Sequence, residues 1–171
     1  RSRVLAAIHE FAVGHYHRLA FSGLAETIFD RHRLAVDSLI QGAAPEVLEK
    51  LPAVYDRLSA SDKESVSQAM NSVRRMFKVF ADSVYPPSKK PVSVDGKKYE
   101  VGSDKVLNRI ELYLRKNCTS ASRRDRLKRS LRDVYDRASA GSHADINPQE
   151  ARSLFLAGYL TLGEILEAGS A

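Results

Sequence analysis

One uninterrupted helical period, closed by two prolines, constrains this chain more than any other feature. From Val66 to Val84 the apolar residues Val66, Ala69, Met70, Val73, Met76, Phe77, Phe80 and Val84 recur three and four positions apart. That spacing places them on a single face of a long helix. Ahead of it, Ser61-Asp62-Lys63-Glu64 has the pattern of a capping box, in which side-chain oxygens satisfy the first free backbone N–H groups. Behind it, Pro86-Pro87 stop propagation, because an interior proline removes a hydrogen bond and clashes with the preceding turn. A helix with one wide apolar stripe must be covered, and the remaining sequence supplies the covers.

Leu5, Ile8, Ala12, His15 and Leu19, then Leu24, Ile28, Leu34, Leu39 and Ile40, fall near helical spacing. With Ser22-Gly23 and the stretch from Gly42 to Pro45 as punctuation, they predict two helices. A shorter helix is expected from Pro45 to Leu58. Residues 88–103 break the period, and Pro91 to Val101 reads as two short extended pieces around Asp95-Gly96, a small hairpin or ordered loop. Asp104 is the expected cap of the next helix, whose face is Val106, Leu107, Ile110 and Leu114 and whose end is Asn117. Ser120 or Ser122 starts another, with Leu127, Leu131, Val134, Tyr135 and Ala138 as its stripe and Arg129-Asp133-Arg137 and Arg132-Asp136 at i, i+4 on its outside. Ala140 to Asp145 is too rich in breakers to read as helix. Asn147 and Pro148 then cap and open a last helix to about Glu167. Its apolar residues wrap most of the circumference, so it is either central or half of an interface. The expected fold is all-α: a helical bundle over 59–171, an N-terminal helical extension over 1–58 that packs on the bundle or belongs to a neighbouring module, and the hairpin or loop insertion near 88–103.

Composition narrows the function classes. A chain of 171 residues with 43% hydrophobic content is long enough for one core. One cysteine, Cys118, forms neither an internal disulfide nor a cysteine-based zinc site, which points to a reducing, cytoplasmic setting. No apolar run approaches the roughly 20 residues of a membrane span, so no membrane partner is expected. The opening Arg1-Ser2-Arg3, without an initiator methionine, leads to the expectation of a piece of something longer, with additional domains or a regulatory partner. Between Arg109 and Arg137 there are ten basic residues against four acids, which accounts for the whole net charge of +6. Such an excess on one segment favours phosphate-bearing partners, or else is a solvated helix face.

Two side chains near the end of that segment carry the sharpest chemical reading. Arg137 closes the basic helix, and His143 follows across a glycine-containing turn with five residues between them. A guanidinium holds a phosphate by paired hydrogen bonds and stays charged, whereas an imidazole with a pKa near ~6.5 accepts and returns a proton. RNA carries its own nucleophile in the 2′-hydroxyl, so a base and a charge stabiliser suffice without metal or other cofactor. Asn108, Arg109, Arg129 and Arg132 are the candidates to hold the RNA. The alternatives are structural: a histidine capping a helix end, an arginine in a ladder with Asp133, an Asn108-Arg109 helix-to-helix bond. His15 and His17 point to different faces of a helix, and no metal site is expected. The serines lack a nucleophile-elbow context, no phosphate-cradling glycine loop is present, and a generic DNA-binding role lacks a helix-turn-helix signature.

The motif Arg137-Ala-Ser-Ala-Gly-Ser-His143 resembles the Arg-then-His motif of the HEPN superfamily. The segments from Ser72 to Arg75, from Ala81 to Pro87, Asp95-Gly96, Asn108-Arg109, from Ala140 to Ala144, from Glu150 to Arg152 and from Tyr159 to Leu166 extend the likeness to HEPN domains of the bacterial abortive-infection, antiphage-defence type. It covers about residues 60–168. The resemblance implies a bundle that homodimerises so that two Arg-His motifs share a cleft and cut RNA to a 2′,3′-cyclic phosphate. It implies a toxin or effector with His143 as base or acid, Arg137 as phosphate clamp, and Ser139, Ser142 or Asp136 to orient them. Many members are instead non-catalytic modules that dimerise and bind nucleic acid or a partner. Many of the ribonucleases carry a polar residue directly after the arginine, where this chain has Ala138.

Overall fold

The computed structural model describes residues 2–60, 62–142 and 146–169, and side chains throughout these except at 2–8, 14 and 17–26. It is all-α apart from one small hairpin. The elements in order are α1 (Ser2–Ala43), α2 (Pro45–Leu48), α3 (Leu51–Ala60), α4 (Lys63–Val84), β1 (Val92–Val94), β2 (Lys97–Tyr99), α5 (Val106–Asn117), α6 (Ala121–Gly141) and α7 (Pro148–Gly169). Two compact units divide the chain, Arg1–Val36 and Asp37–Ala171. In the first, Phe11, Tyr16, Ile28, Phe29 and Leu34 are exposed, and the rings of Phe11 and His15 stack with centroids 5.7 Å apart.

The second unit is built around α4, which packs against α2, α3, α5, α6 and α7. Asp62 caps it by accepting from the Ser65 N–H at 2.9 Å. Val66, Ala69, Met70, Val73, Met76, Phe77 and Phe80 from the expected stripe are buried, together with Ser72 and Ala81. Helix α7 lies against α3, α4, α5 and α6, which explains an apolar surface covering most of its circumference. Gly158 allows its close approach: a Cβ there would meet Phe77 at 3.1 Å and Val134 at 3.3 Å. The groups of α2 and α3, assigned by sequence to the N-terminal extension, pack on α4 within this second unit.

Several boundaries depart from expectation for identifiable reasons. The N-terminal helix is one helix, not two; Ser22-Gly23 costs about 1 kcal/mol against alanine, too little to break a helix of 42 residues. The expected helix from Pro45 to Leu58 is split after Leu48, because Pro52 near the start of α3 has no N–H to give to the preceding turn. Helix α6 continues through Ala140 to Gly141, where a Cβ would meet Met70 and Ile146 at 3.2 Å, so this glycine is a packing residue. Asp104 does not cap α5; Lys105 occupies that position, with its Nζ on the Asp104 carboxylate at 2.8 Å. Ser120 and Asn147 cap α6 and α7, accepting from Arg123 N–H at 3.3 Å and Glu150 N–H at 2.8 Å.

The hairpin pairs Val92 with Tyr99 and Val94 with Lys97, and its turn holds Asp95 at φ +51° and Gly96 at φ +74°. Both turn residues are left-handed, as a two-residue hairpin demands. Tyr99 then packs with Val101 and Leu112, under cover of Tyr85, Val92 and Val94.

A buried cation joins these parts. Arg109 of α5 is 0% exposed. Its Nη1 donates to Asp82 Oδ1 at 2.7 Å and to the Tyr85 carbonyl at 3.2 Å, and its Nη2 to the Ser103 carbonyl at 3.2 Å. Burial pushes the Asp82 carboxyl up, but the bonds from Lys78 and Arg109 outweigh it and hold the acid below the usual carboxylate range. Removing the carboxylate strands a buried charge, so Asp82→Ala is expected to lose about 3–5 kcal/mol in urea unfolding at neutral pH. A carboxyl lowered by folding stabilises above its unfolded pKa and loses that contribution as pH falls through the folded one. The difference between the parent and Asp82→Ala should therefore shrink below about pH 4. A loss under about 1 kcal/mol at neutral pH would contradict the role given to Arg109.

Candidate functional site

The site expected from sequence lies where α6 turns into α7. Arg137 stands about one helical turn before the end of α6. Its side chain is 46% exposed and reaches two carboxylates, Glu150 Oε1 of α7 at 3.2 Å and Asp133 Oδ2 of its own helix at 3.6 Å. Ser142 Oγ donates to the Ser139 carbonyl at 2.7 Å, and the Ser142 carbonyl accepts from Ser67 Oγ of α4 at 2.8 Å. The two serines thus finish α6 and fasten its end to the hub helix. Asp136 is exposed. His143 lies outside the described residues, as do Ala144 and Asp145.

The residues expected to hold a substrate separate into two groups. Arg129 and Arg132 are exposed on α6 and, among the described residues, take part in no ion pair. Asn108 and Arg109 belong elsewhere. Asn108 Nδ2 donates to the Glu100 carbonyl at 2.9 Å, and Arg109 is the internal clamp just described, so its guanidinium is consumed by the fold. Ala138 is fully buried on the α6 stripe, which gives a packing reason for an apolar residue at that position.

Much of the basic segment is matched by acids distant in sequence. Arg123 pairs with Glu167 at 3.0 Å, Arg126 with Glu164 at 3.3 Å and Arg137 with Glu150 at 3.2 Å, three bridges along the antiparallel seam of α6 and α7. On the other flank Lys128 Nζ reaches Glu111 Oε1 at 2.8 Å, and the same oxygen accepts from Tyr99 at 3.1 Å. Burial pushes Glu111 up, and its bonds from Lys128 and Tyr99 outweigh that and keep it low. Arg115 joins Asp95 of the hairpin turn at 3.1 Å, and Arg124 donates to the Cys118 carbonyl at 2.7 Å. Glu150 was the residue missed by sequence reasoning. Its signal was present: going back along α6 from Arg137 to Arg123, the matching acids go forward along α7 from Glu150 to Glu167.

Among the described residues no group of three or more His, Cys, Asp or Glu is arranged to hold a metal ion, and no helix is long and apolar enough to cross a membrane. No protein-family model matches the chain, and neither a curated protein nor a solved structure matches it.

The seam bridges are solvent-facing, where a pair contributes at most about 1 kcal/mol. Glu164→Gln and Glu167→Gln together are expected to lower stability by about 1 kcal/mol or less, with the difference fading in roughly 1 M salt. Thermal unfolding at low and high salt checks this. A large, salt-independent loss would mean the seam is structural in the way the Arg109 clamp is.

Proposed function

We propose that this chain is a HEPN-type domain that cuts RNA without metal, with Arg137 as phosphate clamp and His143 as proton-transfer group. The supporting observation is Arg137 itself: a half-exposed guanidinium near the end of α6, with His143 following in sequence, and with Arg129 and Arg132, which make no ion pair among the described residues, on the same helix. In the proposed reaction an imidazole removes the 2′-hydroxyl proton and the oxygen attacks the adjoining phosphorus. The P–O5′ bond breaks as a second proton reaches the leaving oxygen, giving a 2′,3′-cyclic phosphate and a 5′-hydroxyl. Arg137 neutralises the charge that accumulates on the phosphoryl oxygens. In a homodimer the partner's copy of the motif supplies the complementary acid. Leu156 and Leu160, one turn apart on α7 and 51% and 37% exposed, offer an apolar contact for such a copy. The biological setting that fits is a cytoplasmic toxin or antiviral effector within a larger, regulated bacterial defence protein.

A second reading is favoured by one observation, the pair of carboxylates already holding Arg137. In it the domain is a non-catalytic HEPN-like module that dimerises and binds nucleic acid or a partner protein. One assay separates the two. The purified chain and its His143→Ala variant are incubated with mixed RNA in chelator, and fragment ends are read. Cyclic-phosphate ends from the parent and their loss from the variant are expected. Glu150→Gln, which frees Arg137 from one carboxylate, should retain cutting. RNA left intact by the parent supports the non-catalytic module instead.

A further inference from the structure

On the flank of α6 opposite the seam lies a basic cleft that the RNA reading does not use. It encloses about 410 Å³ and is walled by Asn71, Arg74, Arg75 and Lys78 of α4, by Ser103, Asp104 and Val106 leading into α5, and by Tyr135 of α6. The four α4 residues fall at i, i+3, i+4 and i+7, so one helix face presents two guanidiniums, an ammonium and an amide to the same space. Tyr135 and Arg137 are separated by ~200° around α6, which puts this cleft and the Arg137–Glu150 pair on different sides of the helix.

The charges in the cleft are unequally satisfied. Lys78 is occupied by Asp82 at 2.9 Å, and Asp104 by Lys105 at 2.8 Å. Among the described residues, neither Arg74 nor Arg75 has an acidic partner, and the Arg74 Nε is buried with no acceptor at all. A planar guanidinium fork matches the oxygens of a phosphate, and a second beside it adds charge without geometric conflict. Across the cleft the Tyr135 ring is held by Phe77, with centroids 6.0 Å apart and planes at 74°. It is half-buried, a fixed aromatic wall of the kind on which a base stacks. The volume falls within the range of sites for small ligands.

We infer that this cleft binds a phosphate-bearing ligand of mononucleotide size, with its phosphate on Arg74 and Arg75 and its base against Tyr135. The site is independent of the RNA-cutting proposal, and either can fail alone.

Calorimetric titration of the intact chain at fixed ionic strength tests it, with the four 5′-mononucleotides, inorganic phosphate and adenosine as probes. At least one mononucleotide should bind saturably and more tightly than both phosphate and adenosine. Arg75→Ala, a change at an exposed position that leaves the fold intact, should weaken that nucleotide about tenfold, and Arg74→Ala at least as much. Tyr135→Leu should weaken the nucleotide about fivefold and leave phosphate unaffected. Circular dichroism of each variant confirms folding. Saturable binding of no mononucleotide, equal affinity for inorganic phosphate and nucleotides, or unchanged affinity in Arg75→Ala would each overturn the assignment.

Discussion

The Arg109 guanidinium, fully buried and bonded to Asp82, Tyr85 and Ser103, is the interaction on which the geometry of this bundle turns. Three features converge on it: the last turn of the hub helix, the corner at Pro86-Pro87, and the approach to α5. A buried guanidinium needs acceptors, and the bonds to its Nη1 and Nη2 hold these three backbone segments together, while its Nε has no partner. The hairpin is tied into the same region, since Tyr85 and Tyr99 share an apolar cluster and Tyr99 donates to Glu111, two residues along from Arg109. The charged residue chosen from sequence as a ligand contact is thus a determinant of chain path.

The basic segment shows how charge divides between architecture and availability. Six of its ten cations find carboxylate partners, most of them supplied from other elements of the bundle. Net charge by segment therefore overstates what α6 can offer to a polyanion. Among the described residues, what stays open is Lys116 near the end of α5, Arg129 and Arg132 on exposed positions of α6, and Arg137 at the connection to α7, shared with Glu150. On the other flank, Arg74 and Arg75 have no acidic partner among the described residues, although they lie outside the basic segment.

The helices were legible because their stripes were regular: the α4 positions from Val66 to Phe80 all turned inward, and Asp95-Gly96 marked the hairpin turn. Boundaries were less legible where local breakers compete with packing. Gly141 reads as a stop, yet its missing Cβ makes room for Met70 and Ile146, a contact invisible without tertiary structure. Ser22-Gly23 reads as a break and is spanned by a single helix. For the candidate site, Arg137 could be picked from its position before the last helix, whereas Glu150 required knowing that α6 and α7 run side by side. Arg109 could not be told from its basic neighbours, because burial depends on Asp82, some 27 residues away.

The central claim is that Arg137 and His143 act as one unit at the α6–α7 connection. A double-mutant cycle on RNA cleavage in chelator tests it most directly, comparing the parent with Arg137→Ala, His143→Ala and the pair. Residues that work on the same transition state are strongly non-additive, so the account predicts that either single change abolishes most cutting and that the second adds little. Independent, multiplicative losses, or cleavage that survives both changes, would contradict it.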